Sequence, residues 1–381
     1  MYYYPPCSGP KRVLMHIPDG YLGPTTCIFF YLVMMPLWFI AARKVERNLK
    51  TKQIPWLAFG VAFSFIIMMF NFPAPGGTTG HAVGAAILAL TLGPWFGFLG
   101  VTGALLIQCL LFGDGGITTF ATNSFNMGLV MSFVSYFVYK LLAARAPLLS
   151  RRRWLAAAAS AYIGLNVAAL CCAIDLGLQP ILYHTSDGSP LYAPFPLSVS
   201  IPAMLISHGL IFGFVDAAAT GFLVSYVMRS DPSILGKSIA QSIPDLNTGA
   251  GIGGTPGTPK SAAPKKHSPY MKWLWILMVV LVALVPLGLL APGKAFAEYS
   301  SADLEAMFGM TPPAGLKSLE GLYNAPFSGY SVPGATTFTQ QSLAYTLAAI
   351  IGVTILGICL MGFYRIKSRA MASDPESLQE T

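Results

Sequence analysis

The stretch "HAVGAAILALTLGPWFGFLGVTGALLIQCLLF", residues 81–112, indicates the class of fold. It contains no Asp, Glu, Lys or Arg. A helix needs about 20 predominantly apolar residues to cross the roughly 30 Å of hydrocarbon in a bilayer. Gly93 and Pro94 interrupt it, because proline lacks a backbone donor and glycine loosens the turn. The stretch therefore predicts two short helices inside a membrane protein.

The rest of the chain has the same character. Of its 381 residues, 54% are hydrophobic and 10% are charged, whereas about a quarter of the residues in a soluble domain are charged. Further apolar runs bring the prediction to roughly nine spans; they cover residues 25–42, 55–72, 125–142, 154–176, 198–227, 273–290 and 342–363. The predicted fold is an all-α integral membrane protein, with about seven helices followed by a two-helix C-terminal unit that carries an outward-facing loop.

The positions of the cations predict the orientation. Lys and Arg follow the first, fifth, seventh and ninth spans, while the alternate loops 73–80 and 175–196 contain none. By the positive-inside rule, the N-terminus is predicted outside and the C-terminus in the cytoplasm. The net charge of +8 is then a sign of topology, and it does not indicate nucleic-acid binding.

Composition also predicts the domain boundaries. Residues 231–270 are rich in Gly, Pro, Ser and Lys, which is typical of a linker, here a cytoplasmic one. The predicted segments are a leader or upstream segment over 1–14, a membrane domain over 15–230, this linker, a two-span unit over 271–370 and a cytoplasmic tail over 371–381. A phosphate loop is excluded because "DPSILGKS" has Asp231 where the first glycine of that motif must stand. No nucleotide site is therefore predicted on this chain.

The stretch "MHIPDGYLG" begins at Met15 and suggests a metal site. If Met15 is the first residue, its amine, the amide nitrogen of His16 and an imidazole nitrogen of His16 can close fused chelate rings around one ion. A fourth nitrogen would complete a square plane, which suits Ni(II) or Cu(II). His81 follows "NFPAPGGTTG" on the same predicted side of the membrane. A lone histidine at a membrane boundary is more often an interface residue, so the pair carries the prediction.

Polar residues within apolar spans are costly and indicate function by default. The candidates for supporting the metal ligands are Gln108, Asp114, Asn123 and Asn126. The alternative is a structural hydrogen-bond network between helices.

Two further groups of residues have an open interpretation. His208 and Asp216 stand two helical turns apart on one face, and they either pack helices together or belong to a functional network. Gly93, Gly97 and Gly100 either let a partner helix approach closely, as a coupling surface, or only break the helix.

Four motifs together resemble the substrate-capture subunit of nickel/cobalt energy-coupling-factor transporters, the NikM/CbiM family. They are "MHIPDGYLG", "NFPAPGGTTGHAVGAAILALTLGPW", "QCLLFGDGGITTFATNSFNMG" and "SHGLIFGFVDAAATG", and the resemblance covers about residues 15–229. It implies Met15, His16 and His81 as ligands in a square plane of nitrogens. Asp216 stands where the family usually has Glu.

The C-terminal segment "GMTPPAGLKSLEGLYNAPFSGYSVPG" resembles the NikN or PDGLE type of partner subunit more than the cobalt partner CbiN. This resemblance favours nickel. It implies that Ni(II) or Co(II) is the transported substrate, taken up across the bacterial inner membrane with a membrane coupling subunit and cytoplasmic ATPase subunits. Cobalt uptake for cobalamin biosynthesis is the alternative, and a membrane metal sensor or a metalloenzyme is the alternative class.

The sequence departs from the family at its start, because fourteen residues precede Met15. A methionine inside a chain has no free amine, so the site would lose one nitrogen. We expect that Met15 is the true start. Proteolytic removal of the leader is the alternative.

Overall fold

The computed structural model describes residues 16–74, 78–241, 243–244, 269–291 and 294–372. Within these ranges, eight helical segments are long and apolar enough to cross a membrane. The predicted all-α membrane fold is confirmed.

The first half of the chain forms helices around a short β-hairpin. Its elements are α1 (Pro24–Asn48), a 3-10 turn (Thr51–Gln53), α2 (Ile54–Met68), β1 (Phe72–Ala74), β2 (Thr78–Gly80), α3 (Ala85–Thr91), α4 (Pro94–Ile107), a π-helical turn (Gln108–Phe112), α5 (Phe120–Asn123), a π-helical turn (Ser124–Val130) and α6 (Met131–Ala143).

The second half continues with longer helices and then the C-terminal unit. Its elements are α7 (Arg151–Gly177), α8 (Gln179–Leu182), α9 (Leu197–Ser207), a π-helical turn (His208–Phe212), α10 (Gly213–Ser230), a 3-10 turn (Pro232–Ile234), α11 (Lys237–Ala240), α12 (Pro269–Leu284), a 3-10 helix (Val285–Leu290), β3 (Lys294–Ala295), α13 (Ser301–Phe308), α14 (Ala314–Leu319), a 3-10 turn (Ser328–Tyr330) and α15 (Phe338–Ala372).

The predicted break at Gly93 and Pro94 is present, with Gly93 at φ 123°. Helix α3 before it has only 7 residues and is too short to span a bilayer. The described chain therefore has eight spanning helices where the sequence predicted roughly nine. In segment 81–91, residues 81–84 belong to no helix or strand and α3 follows them; at the end of α3, Trp56 donates to the Thr91 hydroxyl at 2.8 Å.

The ends of several elements meet at Thr91. The Gly236 amide, beyond α10, donates to the Thr91 carbonyl at 2.8 Å, and Gln53, beyond α1, donates to the Ile234 carbonyl at 2.8 Å. The cations after α1 and α10 therefore gather at this end of the molecule, which we call the basic end.

The C-terminal unit packs against the membrane domain. Helices α12 and α15 both contact α2. Strand β1 pairs with β2 in antiparallel fashion, and β3 adds to β2 in parallel register, with Thr79 opposite Ala295. The predicted outward-facing loop thus begins beside β2, immediately before His81.

The first part of the predicted linker is folded. Ile234, Ile239 and Ile243 are buried in the main hydrophobic core, so the packed structure continues beyond α10. Residues 245–268 of the linker and 373–381 of the tail lie outside the described residues.

Candidate metal centre

His16 and His81 lie side by side although 64 residues separate them in the chain. Their ring centroids are 5.2 Å apart, with an angle of 78° between the ring planes. Both side chains are buried, with 3% and 6% of the residue surface exposed. The structure thus brings together the two histidines that the sequence predicted as partners.

The hydrogen bonds of His16 select its tautomer. Its Nε2 lies 3.1 Å from the Gln108 side-chain oxygen and 3.7 Å from an Asp114 carboxylate oxygen. The amide oxygen can only accept, so Nε2 carries the proton and Nδ1 keeps its lone pair. This Nδ1 is buried and has no hydrogen-bond partner among the described residues. It is the nitrogen that a metal ion would use.

Tyr330 of the C-terminal unit holds Gln108 and Asp114 in place. Its hydroxyl accepts from Gln108 Nε2 at 3.1 Å and donates to Asp114 Oδ2 at 2.5 Å. The Tyr330 ring is 1% exposed and stacks on Phe112 with centroids 4.8 Å apart; burial raises its pKa well above the usual value. Sequence reasoning missed this residue, and its place in the segment that resembles NikN was the available signal.

The backbone after His16 is fixed by side chains of the 116–123 region. Asn123 accepts from the Ile17 amide at 3.2 Å and donates to the Ile17 carbonyl at 3.1 Å. The Asp19 carboxylate accepts from the amides of Ile117 and Thr118 at 3.2 and 2.8 Å. Asn123 thus supports the site through the backbone next to His16.

The backbone after His81 is fixed by Asp216. One carboxylate oxygen accepts from the Val83 and Gly84 amides at 3.2 and 2.7 Å, where Gly84 adopts the left-handed conformation with φ 75°. His81 Nδ1 lies 3.1 Å from the Ala82 carbonyl oxygen, which favours a proton on Nδ1 and a lone pair on Nε2. Asp216 therefore positions the second histidine.

A cavity of about 70 Å³ adjoins the two histidines. Asn126, His208 and Glu298 also line it. Asn126 donates to Asp175 at 2.8 Å, and His208 Nδ1 lies 2.8 Å from the Met204 carbonyl oxygen. His208 thus shares a cavity with the candidate ligands, while Asp216, on the same helix, contacts the His81 segment.

Each of the three π-helical turns carries a residue of this region. Gln108 begins the first, Asn126 lies in the second and His208 begins the third. Such turns are rare and occur frequently at functional sites. The local distortion of three helices therefore coincides with the cavity.

Met15 lies outside the described residues. Within the described part of the chain, no three His, Cys, Asp or Glu side chains are grouped so that they could hold a metal ion. The predicted site differs from such a cluster, since two of its four nitrogens belong to the main chain.

Gly93, Gly97 and Gly100 are buried inside the molecule. A Cβ on Gly97 would lie 2.6 Å from the Ser132 hydroxyl, and one on Gly100 would lie 2.8 Å from the Leu88 side chain. In the described structure, the close packing that Gly97 and Gly100 allow is therefore between helices of this chain; the coupling surface stays a prediction.

Comparison with known proteins gives a consistent family match. Residues 16–234 match the family CbiM, described as the cobalt uptake substrate-specific transmembrane region. The chain is 40% identical to the fused nickel transport protein NikMN of Rhodobacter capsulatus, over 93% of this chain and 99% of that protein. It is 38% identical to the probable fused nickel transport protein LarMN of Lactiplantibacillus plantarum, over 91% and 97%.

A solved structure resembles the membrane domain. The crystal structure of a truncated transition metal transporter is 49% identical and has a TM-score of 0.53, covering 56% of this chain and 99% of that one. The site described above lies mostly within the matched family region, whereas Tyr330 and Glu298 lie beyond it.

Proposed function

The chain belongs to the CbiM family of cobalt uptake substrate-specific transmembrane proteins, and from this we propose that it captures Ni(II) or Co(II) for uptake across the bacterial inner membrane. The family and the similar proteins are transport proteins, so the chain is a transporter component and not an enzyme. The observation that carries the proposal is the buried, unpartnered Nδ1 of His16 beside the ring of His81.

The proposed ligands are four nitrogens. They are the amine of Met15, the amide nitrogen and Nδ1 of His16, and Nε2 of His81. Such a set suits a square-planar divalent ion. Because the amide and any imidazolium must lose a proton on binding, the affinity rises with pH. The amine requires Met15 to be the first residue of the mature chain.

Nickel is the favoured substrate. Two proteins that match this chain over both its membrane domain and its C-terminal unit are described as a nickel transport protein and a probable nickel transport protein. Cobalt uptake for cobalamin biosynthesis by the same mechanism is the second candidate, supported by the family description. The nitrogen ligands alone do not separate the two ions, since Ni(II) and Co(II) are neighbours in the usual affinity order.

The proposed partners are a membrane coupling subunit and cytoplasmic ATPase subunits of an energy-coupling-factor transporter. The sequence "DPSILGKS" lacks the first glycine of a phosphate loop, which agrees with ATP hydrolysis by separate subunits. The proposed orientation has the histidines outside and the basic end in the cytoplasm, in line with the positive-inside rule.

Each proposed segment has a role in this scheme. Residues 15–230 form the capture domain, 231–270 connect the units on the cytoplasmic side, and 271–370 form the NikN-like unit, with residues 1–14 absent from the mature protein and 371–381 as a cytoplasmic tail. The Tyr330 hydroxyl accepts a hydrogen bond from Gln108 and donates one to Asp114, which supports a direct contribution of the NikN-like unit to the site.

The test is equilibrium binding of Ni(II) and Co(II) to the purified full chain, with its intact mass measured on the same sample. One ion should bind per chain, and His16→Ala and His81→Ala should each abolish binding. The intact mass should be that of a chain that begins at Met15. His184→Ala is the matched control, because His184 is exposed and outside the cavity. Retained binding in the His16 or His81 variant, or tight binding by a chain that retains Met1, would overturn the proposed ligand set.

A further inference from the structure

Glu298 is an acidic side chain of the C-terminal unit inside the metal cavity. It lies between β3 and α13, and it lines the same cavity as His16, His81 and His208. Only 7% of its surface is exposed. A buried acidic residue of the C-terminal unit therefore lines the space beside the proposed nitrogen ligands.

The backbone holds Glu298 between the two histidine-bearing segments. On one side, Ala295 pairs with Thr79 of β2, directly before His81. On the other side, the Tyr21 hydroxyl donates to the Tyr299 carbonyl at 2.8 Å and accepts from the Tyr299 amide at 3.0 Å. Tyr21 belongs to the segment that follows His16. The position of Glu298 is therefore set by both parts of the site.

The residue before Glu298 adopts an unfavourable conformation. Ala297 has φ 62° and is buried, with 1% of its surface exposed. A left-handed conformation at a residue with a Cβ is a local strain that persists where surrounding contacts impose it, and such strain is frequent at functional sites. Here it turns the chain so that Glu298 enters the cavity.

The carboxyl group of Glu298 is not fully satisfied by the protein. Its Oε2 is buried and has no hydrogen-bond partner among the described residues. The cation nearest in sequence, Lys294, forms an ion pair with Asp303. A buried, unsatisfied carboxylate oxygen in a metal cavity is suited to a passing divalent cation, because carboxylates bind such ions readily.

We propose that Glu298 is the first protein ligand that an incoming divalent cation meets, and that it passes the ion to the nitrogens of His16 and His81. One water leaves the hydrated ion and the carboxyl group releases its proton to solvent as its oxygen binds; an imidazole nitrogen then displaces that oxygen, which takes up a proton again. This inference rests on the proposed function. Among the described residues, Glu298 forms no group with two other metal-binding side chains, and the proposal places it in the loading step and outside the final ligand set.

The experiment is stopped-flow binding of Ni(II) to the full chain. Glu298→Gln should lower the association rate about tenfold, since a carboxyl group can release its proton and bind the incoming ion through oxygen as an anion, which a neutral amide cannot do. The equilibrium dissociation constant should stay within about threefold, because a transient ligand speeds binding and release alike. Glu305→Gln is the matched control, since Glu305 is exposed on α13, and it should bind at the wild-type rate.

A further variant separates charge from shape. Glu298→Asp keeps the carboxylate and should load faster than Glu298→Gln. Equal rates for the wild type, the Gln variant and the Asp variant would overturn the proposal, as would a weakened equilibrium constant with an unchanged association rate. If the wild type binds neither Ni(II) nor Co(II), the proposed function itself fails.

Discussion

At the scale of single residues, the candidate site depends on one proton at His16. The Gln108 side-chain oxygen keeps that proton on Nε2, and the Tyr330 hydroxyl fixes which way the Gln108 amide points. The Gln108 side-chain amide has nearly the same shape when its oxygen and nitrogen exchange places. By accepting from the amide nitrogen, the Tyr330 hydroxyl keeps the amide oxygen facing His16. The lone pair of the proposed ligand nitrogen, His16 Nδ1, therefore depends on a residue 314 positions away.

We predict that Tyr330→Phe weakens Ni(II) binding by about tenfold, the lower range for loss of an outer-shell partner. Without the hydroxyl, Gln108 can reverse and Asp114 loses its 2.5 Å donor. The measurement is the dissociation constant beside the melting temperature of the metal-free protein. Tyr345→Phe is the matched control, since this buried hydroxyl donates to the Met69 carbonyl at 2.8 Å and not to the site. An equal loss of affinity in both variants would assign the effect to packing.

At the scale of elements, helix α4 shows where glycine is required. A Cβ on Gly97 would lie 2.6 Å from the Ser132 hydroxyl and 2.9 Å from the Ala85 carbonyl oxygen, whereas a Cβ on Gly103 of the same helix meets nothing within 4 Å. We predict that Gly97→Ala destabilises the protein by about 1–3 kcal/mol, as overpacking does. Gly103→Ala should be neutral or stabilising by up to about 1 kcal/mol.

Thermal unfolding of the two variants in one detergent measures this difference. The variants add the same methyl group to the same helix, so their propensity effects cancel in the comparison. Equal melting temperatures would show that α3 and α6 can move away from α4 at no cost.

Residues 294–330, which we call the cover segment, contain a buried acid, Glu298, that lowers the stability of the fold as the pH rises. Burial, and then the charge of Asp114, raise the pKa of Glu298 well above its usual value, although Lys294 opposes the shift. A folded-state pKa above the unfolded one means that the contribution of Glu298 to stability is complete below the unfolded pKa and is lost as the pH rises through the folded pKa. The wild type thus loses stability toward neutral pH through this group.

We therefore predict that Glu298→Gln raises the melting temperature of the metal-free protein, and that the gain grows from pH 5 to pH 8. Each kcal/mol recovered corresponds to roughly 2–4 °C for a chain of this size class. Glu305→Gln should give no such trend, since its side chain is exposed. A gain that is constant with pH, or a loss, would contradict the assigned cause.

The elements also show what sequence patterns can and cannot predict. Apolar length and the break at Gly93 and Pro94 predicted the membrane class and the interruption of residues 81–112. The pattern did not predict that α3 has 7 residues, because the non-helical chain before it is anchored by Asp216, 132 residues after Gly84. The start of α3 therefore depends on the contact between Gly84 and Asp216, and a short stretch of sequence around α3 does not include Asp216.

At the scale of the whole molecule, the site draws on both units of the chain. The two histidines and the supporting Gln108, Asp114 and Asn123 were predicted from motifs and from polar residues in apolar spans. Tyr330 and Glu298 were not: the only signal for Tyr330 was its place in the segment that resembles NikN, and Glu298 looks like an ordinary acidic loop residue. Their role depends on β3 pairing with β2 and on α15 packing against α2.

We predict that the two units stay together when the chain between them is cut. A protease site placed within residues 245–268 would leave intact the β2–β3 pairing, the contacts of α12 and α15 with α2, and the Tyr330 hydrogen bonds. The fragments should co-elute from a sizing column in mild detergent, and the cut protein should bind Ni(II) with an affinity within about threefold of the uncut chain, because the linker contributes mainly effective concentration. Uncut protein treated with inactive protease is the control. Separation of the fragments would show that the covalent connection, and not the packed interface, keeps the cover segment over the site.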